Sequence, residues 1–111
     1  MKLSVLDRIM LLNVLPKEGS FANLKILRIA RENISFSEEE NGLLKFRQEG
    51  DKTLWNDTMI SEGKLVPTVP ECEFILGKVV TNLIVEELKR LNDTQKLTES
   101  HFSLYEKFMT E

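Results

Sequence analysis

Two stretches near the C-terminal end of the chain repeat apolar residues at helical spacing. The first stretch, Gly77 to Leu91, carries the stripe Val80, Ile84, Leu88 and Leu91. The second, Thr98 to Met109, carries Phe102, Tyr105, Phe108 and Met109. Residues three or four positions apart share one face of a helix. The pattern therefore predicts two amphipathic helices whose apolar stripes lie in the core.

The N-terminal third of the chain predicts another pair of helices. Ser4 and Asp7 have the spacing of a capping box, so a helix is expected from Ser4 to Leu15, and Pro16 ends it. After a short connector, Ser20 can cap a second helix that runs to about Asn33.

The middle of the chain changes its periodicity. Ser37 to Glu40 has the pattern of a capping box and predicts one or two helical turns, which Gly42 is expected to end early. Leu44 to Asn56 then predicts a β-hairpin about Gly50 and Asp51. With a two-residue loop, the expected facing pairs are Glu49 with Lys52, Arg47 with Leu54, and Phe46 with Trp55.

A third extended segment is predicted from Glu71 to Leu76, because Pro67 and Pro70 disfavour a helix and apolar residues alternate there. We expect it to join the sheet of the hairpin, and we expect 58–69 to be a connector. The resulting fold class is α+β. It has an N-terminal helical pair, a small antiparallel β-sheet with a hairpin about Gly50 and Asp51, and a C-terminal helical pair.

Length, charge and cysteine content narrow the classes of protein. The 111 residues predict a single domain, 1–111. The formal charge of −3, from 15 Lys and Arg against 18 Asp and Glu, makes nucleic acid an unlikely partner. No apolar run approaches the roughly 18 residues of a membrane span, and no signal-peptide cleavage pattern follows the N-terminal apolar stretch. A lone cysteine, Cys72, excludes an intramolecular disulfide, so we expect a cytoplasmic protein.

The sequence contains no recognisable catalytic, metal or cofactor motif. His101 is the single histidine and has no short-range metal-ligand partner, so we interpret it as a surface or partly packed residue. Cys72 lies in an alternating segment and is interpreted as a buried structural cysteine. The acidic run Glu38 to Glu40 lacks the spaced ligands of a calcium loop and is expected to face solvent near the helix N-terminus. We therefore expect no cofactor and no enzymatic activity.

One arrangement raises a DNA-binding alternative. A helix, a short helix and a hairpin between Ser20 and Asn56 follow the order of elements in winged-helix proteins. However, the acidic residues Glu38 to Glu40 would occupy the recognition helix, where DNA phosphates would repel them. DNA binding is kept as a disfavoured alternative.

The favoured prediction is a non-enzymatic protein-binding module. The predicted surface combines apolar anchors with basic residues of the hairpin and the segment after it: Lys45, Arg47, Lys52, Trp55, Met59 and Ile60. The alternative for Trp55 is that it belongs to the core. A second functional hypothesis is a homo-oligomeric assembly protein, because nine apolar residues between Leu3 and Leu15 exceed what one buried face requires.

Three segments of the chain resemble small uncharacterised proteins encoded by bacteriophages and prophages. They are 12–21 (LNVLPKEGSF), 35–40 (SFSEEE) and 97–108 (LTESHFSLYEKF). The resemblance covers both ends of the chain and implies no catalytic residues. It implies a protein of the bacterial host cytoplasm that modulates or inhibits a host protein by binding it.

Overall fold

The computed structural model describes residues 1–109 of the chain. Its five α-helices and short antiparallel strands confirm the predicted α+β class. The helices are α1 (Val5–Val14), α2 (Phe21–Ile34), α3 (Glu38–Leu44), α4 (Lys78–Asp93) and α5 (Phe102–Met109), and a 3₁₀ turn (Glu99–His101) leads into α5. The strands are β1 (Lys2–Leu3), β2 (Arg47–Glu49), β3 (Lys52–Leu54), β4 (Thr58–Ser61), β5 (Lys64–Pro67) and β6 (Cys72–Glu73).

The strands form three separate two-stranded antiparallel sheets: β1 with β6, β2 with β3, and β4 with β5. The prediction that Glu71 to Leu76 joins the hairpin was therefore wrong about the partner. Residues Cys72 and Glu73 do form a strand, but they pair with Leu3 and Lys2. Leu3 is fully excluded from solvent, and its packing in the core holds the N-terminal strand beside β6.

Reciprocal capping determines where α1 and α3 begin. Ser4 Oγ accepts a hydrogen bond from the backbone N–H of Asp7 at 3.1 Å, and the Asp7 carboxylate accepts one from Ser4 N–H in return. The same reciprocal pair joins Ser37 and Glu40. The expectation that Gly42 ends α3 was wrong. The helix continues two residues past Gly42, and burial of Leu44 at its end makes up for the low helix propensity of glycine.

The first helix is the centre of the core, because α1 contacts α2, α4 and α5. All nine apolar residues between Leu3 and Leu15 are buried or half-buried inside the chain. This packing on several sides accounts for the long apolar run that motivated the hypothesis of a homo-oligomer. The run therefore no longer supports self-assembly.

The C-terminal helices pack largely as predicted. Val80, Ile84 and Leu88 of α4 are buried, and Leu91 is half-buried. In α5 the buried residues are Leu104 and Phe108, spaced i, i+4. The prediction that Phe102 is a core residue was wrong, because its side chain is 63% exposed. The 3₁₀ turn before Phe102 places this residue at the start of α5, off the buried stripe.

A second, smaller apolar cluster connects α1 and α3 to the loops around the hairpins. Its buried members are Val5, Leu44 and Val69. Three aromatic rings pack against it in a row, with centroids 5.1 Å apart for Phe36 and Phe46 and 6.0 Å apart for Phe46 and Trp55. Centroid spacings of roughly 4.5–7 Å are typical of favourable aromatic contacts. This cluster fixes the base from which both hairpins extend.

Candidate protein-binding surface

The first hairpin, β2–β3, has the predicted register. Arg47 faces Leu54, and Glu49 faces Lys52. Gly50 in the turn has φ of 62°, a left-handed conformation that glycine adopts without steric cost. Phe46 and Trp55, which flank the two strands, are in ring contact, as the register requires. The hairpin prediction for Leu44 to Asn56 is thus confirmed.

The segment 58–69, which was predicted to be a connector, contains a second hairpin, so that prediction was wrong. Strands β4 and β5 pair from Thr58 with Pro67 to Ser61 with Lys64. The two turn residues, Glu62 and Gly63, have φ of 51° and 77°. A type I′ turn requires a positive φ at both of these central positions. The usual signal for this turn is Asn-Gly or Asp-Gly, and glutamate in the first position concealed it.

The second hairpin exposes a pair of large apolar side chains. Ile60 and Leu65 face each other across the strands, so both point to the same side of the hairpin. Their exposed fractions are 77% and 72%, and that of Met59 is 43%. Within residues 1–109, no helix and no further strand packs against β4 or β5. An exposed apolar pair of this kind is suited to a protein contact.

The predicted basic residues of the surface lie around the first hairpin and are all exposed: Lys45, Arg47 and Lys52. Arg47 Nη1 donates hydrogen bonds to the carbonyl of Lys45 and to Asn56 Oδ1, both at 3.1 Å. None of the three forms a salt bridge with another described residue. Their charges are thus available to an acidic partner.

Trp55 connects this surface to the core. Its ring is half-buried and packs against the second apolar cluster, while Nε1 lies 3.4 Å from Asp57 Oδ1. The Trp55 side chain therefore stabilises the fold through its buried part and leaves the rest of the ring exposed. Ile60 and Leu65, in contrast, belong to neither of the two apolar clusters. The sequence prediction included Ile60 but missed Leu65, because the register of the second hairpin was not recognised.

A buried arginine is the strongest electrostatic feature of the fold. Arg8 is 2% exposed, and its Nη1 and Nη2 donate to the two carboxylate oxygens of Glu40 at 2.8 and 3.1 Å. These hydrogen bonds hold the pKa of Glu40 below its usual value, although burial opposes the shift. The expectation that the whole run Glu38 to Glu40 faces solvent was wrong for Glu40. Arg8 lies 32 positions away in the sequence, and local spacing gives no signal for this pair.

A second network starts from Asp7, the residue next to Arg8 on α1. Lys107 Nζ donates to Asp7 Oδ2 at 2.5 Å and to Glu71 Oε2 at 2.7 Å. Burial raises the pKa of Asp7, but Lys107 and the neighbouring hydrogen bonds outweigh it and leave the pKa lowered. This network connects α1 and α5 to the chain that precedes β6. It stabilises the fold from a direction about 100° around α1 from that of Arg8.

The residues with reactive side chains have structural contacts. His101 is half-buried, its Nδ1 accepts the backbone N–H of Thr98 at 3.0 Å, and burial lowers its pKa. Cys72 is half-buried, not fully buried as predicted, and its thiol lies 3.4 Å from the carbonyl of Pro70. Among residues 1–109, no group of three or more His, Cys, Asp and Glu side chains is placed to hold a metal ion.

The order α2, α3 and hairpin β2–β3 agrees with the order of elements considered for a winged helix between Ser20 and Asn56. The α3 residues Glu38 and Glu39 are exposed, so this helix would present negative charge to a DNA groove. DNA binding therefore stays a disfavoured prediction.

In the described part of the chain, none of the helices combines the length and the apolar character that crossing a membrane requires. Comparisons of this chain with family models, with curated proteins and with solved structures found no match.

Proposed function

We propose that this protein is a non-enzymatic protein-binding module whose contact surface is centred on the second hairpin. The observation that carries the proposal is the facing pair of Ile60 and Leu65, both largely exposed on a hairpin that no other described element covers. Full burial of such a side chain is worth about 1.5–3 kcal/mol. A partner that covers this pair gains that free energy without unfolding any part of the core.

The backbone of the hairpin adds a second means of recognition. Strand β4 has β5 as its neighbour on one side, and no strand within residues 1–109 pairs with its other side. The free edge of β5 is weakened by Pro67, which has no N–H to donate. An extended segment of a partner can therefore add to the edge of β4 and contact Ile60 at the same time, as in strand addition.

The basic residues of the first hairpin extend the surface. Lys45, Arg47 and Lys52 are exposed and free of salt bridges to other described residues, and they would favour a partner with acidic side chains near its apolar anchor. The resemblance to phage-encoded proteins suggests that this partner is a protein of a bacterial host. Binding would then inhibit or redirect the activity of that host protein.

The test is affinity capture of the tagged protein with bacterial lysate, followed by a binding assay with the recovered partner. The variant Ile60→Ser/Leu65→Ser removes the apolar pair and leaves the core intact. Leu43→Ser is the matched control, because Leu43 is an apolar residue of α3 with 46% exposure. Trp55→Ala is unsuitable, because the ring packs against the second apolar cluster.

We expect a stoichiometric partner that binds the parent protein and the Leu43 variant equally and binds the hairpin variant at least tenfold more weakly. Equal binding by all three proteins would reject the hairpin as the surface. The disfavoured alternative of DNA binding predicts a mobility shift of duplex DNA at low salt, which Arg47→Glu would weaken.

A further inference from the structure

The hydrogen-bond pattern of the second hairpin shows which backbone groups of β4 point outward. A two-residue loop makes the pair next to it, Ser61 with Lys64, a hydrogen-bonded pair, and every second pair along an antiparallel ladder repeats this arrangement. The hydrogen bond from Thr68 N–H to the carbonyl of Asp57, at 3.0 Å, fits the same alternation. The intervening residues of β4 therefore direct their N–H and C=O groups away from β5.

The intervening residues, Thr58 and Ile60, form an open hydrogen-bonding edge. Within residues 1–109, no strand and no side chain bonds to their outward N–H and C=O groups. Charged side chains commonly protect an edge strand from a second chain, but β4 contains none. The outer edge of β5 is protected by Pro67, which has no N–H to donate. The β4 side is thus the edge that is open to pairing.

This edge is complementary to itself in one antiparallel register. If Thr58 lies opposite Ile60 of a second copy, the reciprocal pair forms as well, and a two-fold axis passes through Met59. Both pairs are of the hydrogen-bonded kind, so two pairs with two bonds each give four backbone hydrogen bonds. The neighbouring symmetric registers form fewer. In them the next residue is either Glu62 in the turn or Asn56, whose N–H is already bonded to a carbonyl of α3.

The apolar side chains of the hairpin fit the same register. Successive residues of a strand alternate between the two faces of the sheet, so Met59 and Ile60 lie on opposite faces. On one face, the axis brings the two Met59 side chains together between the two Val66 side chains. On the other face, Ile60 lies between Leu65 of its own chain and Thr58 of the second copy. Both faces of the resulting four-stranded sheet therefore have apolar contacts across the axis.

The charges at the two ends of the pairing are compatible with it. The carboxylates next to β4 in the sequence belong to Asp57 and Glu62. The register places Asp57 opposite Ser61 of the second copy and Glu62 opposite Asn56 of the second copy. Each carboxylate thus faces a side chain that can donate a hydrogen bond, and no like charges lie directly opposite each other. This match selects a second copy of the chain as the occupant of the edge.

We infer that the β4 edges of two copies pair antiparallel about Met59 and form a symmetric dimer. The assembly stops at two copies, because the outer strands of its sheet are the β5 strands, which Pro67 protects. A further consequence rests on the proposed function. The dimer covers the edge to which the partner would add a strand, so the dimer and the partner complex exclude each other, and self-pairing regulates partner binding.

Sedimentation equilibrium of the purified full chain, over a concentration series up to about 1 mM, measures this association without any partner. Thr58→Pro removes the outward N–H from each copy, and hence two of the four bonds, without removing a bond of the hairpin itself. Thr58→Val is the matched comparison, because it keeps the N–H and the branched side chain. Far-UV circular dichroism checks the fold of both variants.

We expect the average mass of the parent protein to rise with concentration toward that of a dimer and not beyond it. Thr58→Val should associate at least as tightly as the parent protein. Thr58→Pro should associate about 10-fold more weakly or less tightly still, the loss expected from two hydrogen bonds.

Cross-linking tests the register. In a Cys72→Ser background, Met59→Cys places two thiols at the axis, where Cα atoms of a non-hydrogen-bonded pair lie about 4.5 Å apart, within the range of a disulfide. Ser61→Cys is the matched control on the same face of β4. Its two copies are offset by about 13 Å along the sheet and cannot be bridged. Mild oxidation should link the Met59 variant at least about tenfold faster than the Ser61 variant.

Three results would overturn the dimer. They are a parent protein that stays monomeric throughout the series, equal association of Thr58→Pro and Thr58→Val, and equally fast cross-linking of the Met59 and Ser61 variants. A monomeric parent protein would leave the proposed partner binding intact. A dimer that captures no partner from lysate would support the edge pairing and reject the proposed function.

The exclusion of partner and dimer has its own test with the captured partner. The disulfide-linked Met59→Cys dimer should bind this partner at least about tenfold more weakly than the same variant after reduction. Equal binding by the linked and the reduced forms would reject the regulation and leave the dimer standing.

Discussion

Replacement of Arg8 by methionine should destabilise the protein more than any other single removal of charge. Besides Glu40, the guanidinium donates to the carbonyls of Ile34 and Ser35, both at 2.9 Å. It also lies over the ring of Phe36 at 4.1 Å from the centroid. The substitution keeps an apolar stem in the site but removes every one of these hydrogen bonds.

The expected cost is about 3–5 kcal/mol, the range found when one partner of a buried ion pair is removed. Glu40 keeps 22% of its side-chain exposure, so water compensates for part of its loss and the lower end of the range is expected. Glu40→Gln should cost only about 1–2 kcal/mol, because Arg8 keeps both carbonyl acceptors and its ring contact. The cost of the double variant should fall short of the sum of the two.

Urea denaturation followed by far-UV circular dichroism and by the fluorescence of Trp55 measures these costs. Arg90→Met is the control, since Arg90 pairs with Glu87 on the surface of α4 and its side chain is 54% exposed. That variant should lose less than about 1 kcal/mol. If Arg8→Met proved as mild as Arg90→Met, the buried network would contribute no net stability and the reasoning would be wrong.

Four further predictions concern pH, the second network and the second hairpin. Folding lowers the pKa of Glu40, because Arg8 donates hydrogen bonds to its carboxylate. The contribution of Glu40 to stability is therefore present above pH of about 4.5, its usual pKa, and is lost as the pH falls through the folded pKa. Urea midpoints measured at decreasing pH should show this loss, and Arg8→Met should reduce it. Burial would lower the pKa of Lys107, but Asp7 and Glu71 favour its charged form and raise the pKa. The contribution of Lys107 to stability is therefore full below pH of about 10.5 and is lost as the pH rises through the folded pKa. Urea midpoints measured at increasing pH test this prediction, and unchanged stability in base would contradict it. Asp7→Asn should lower the free energy of unfolding by about 1–3 kcal/mol in the same urea assay, because the buried carboxylate that Lys107 contacts is lost. A change near zero would show that the Asp7–Lys107 network does not stabilise the fold. Gly63 has φ of 77°, which alanine adopts only with strain, so Gly63→Ala should weaken the second hairpin by about 1 kcal/mol. Faster hydrogen exchange of the β4 amides should report this local loss, while the global free energy of unfolding stays unchanged. A lower global stability would show that the hairpin is coupled to the core.

The parts of the fold that sequence reasoning predicted are those specified by neighbouring residues. The reciprocal caps of Ser4 with Asp7 and of Ser37 with Glu40 act over three positions, and the turn at Gly50 acts over two. Such short-range patterns also gave the register of the first hairpin. The largest failure is a contact between distant residues, the pairing of β1 with β6 across about 70 positions. The second hairpin is a local failure, because Glu62 stands where the usual turn signal has Asn or Asp.

The same distinction applies to the candidate surface. Ile60 was identified as an exposed apolar anchor, but Leu65 was not, because its position opposite Ile60 depends on the turn at Glu62 and Gly63. The apolar groove lined by Ile29 of α2 and by Ile75 before α4 had no signal in the sequence. Its walls come from α2 and from the segment before α4, and only their packing makes them neighbours.

The arrangement of the two charge networks separates stability from binding. Asp7 and Arg8 are adjacent on α1, so they point in directions about 100° apart. Asp7 therefore reaches Lys107 of α5, and Arg8 reaches Glu40 of α3. Together they hold the helices on both sides of α1, whereas the second hairpin has no side-chain contact with either network. Substitutions in the networks should thus change the free energy of unfolding, and substitutions of the exposed hairpin residues should change partner binding alone. A hairpin variant that lowered both would show that the hairpin is part of the cooperative core.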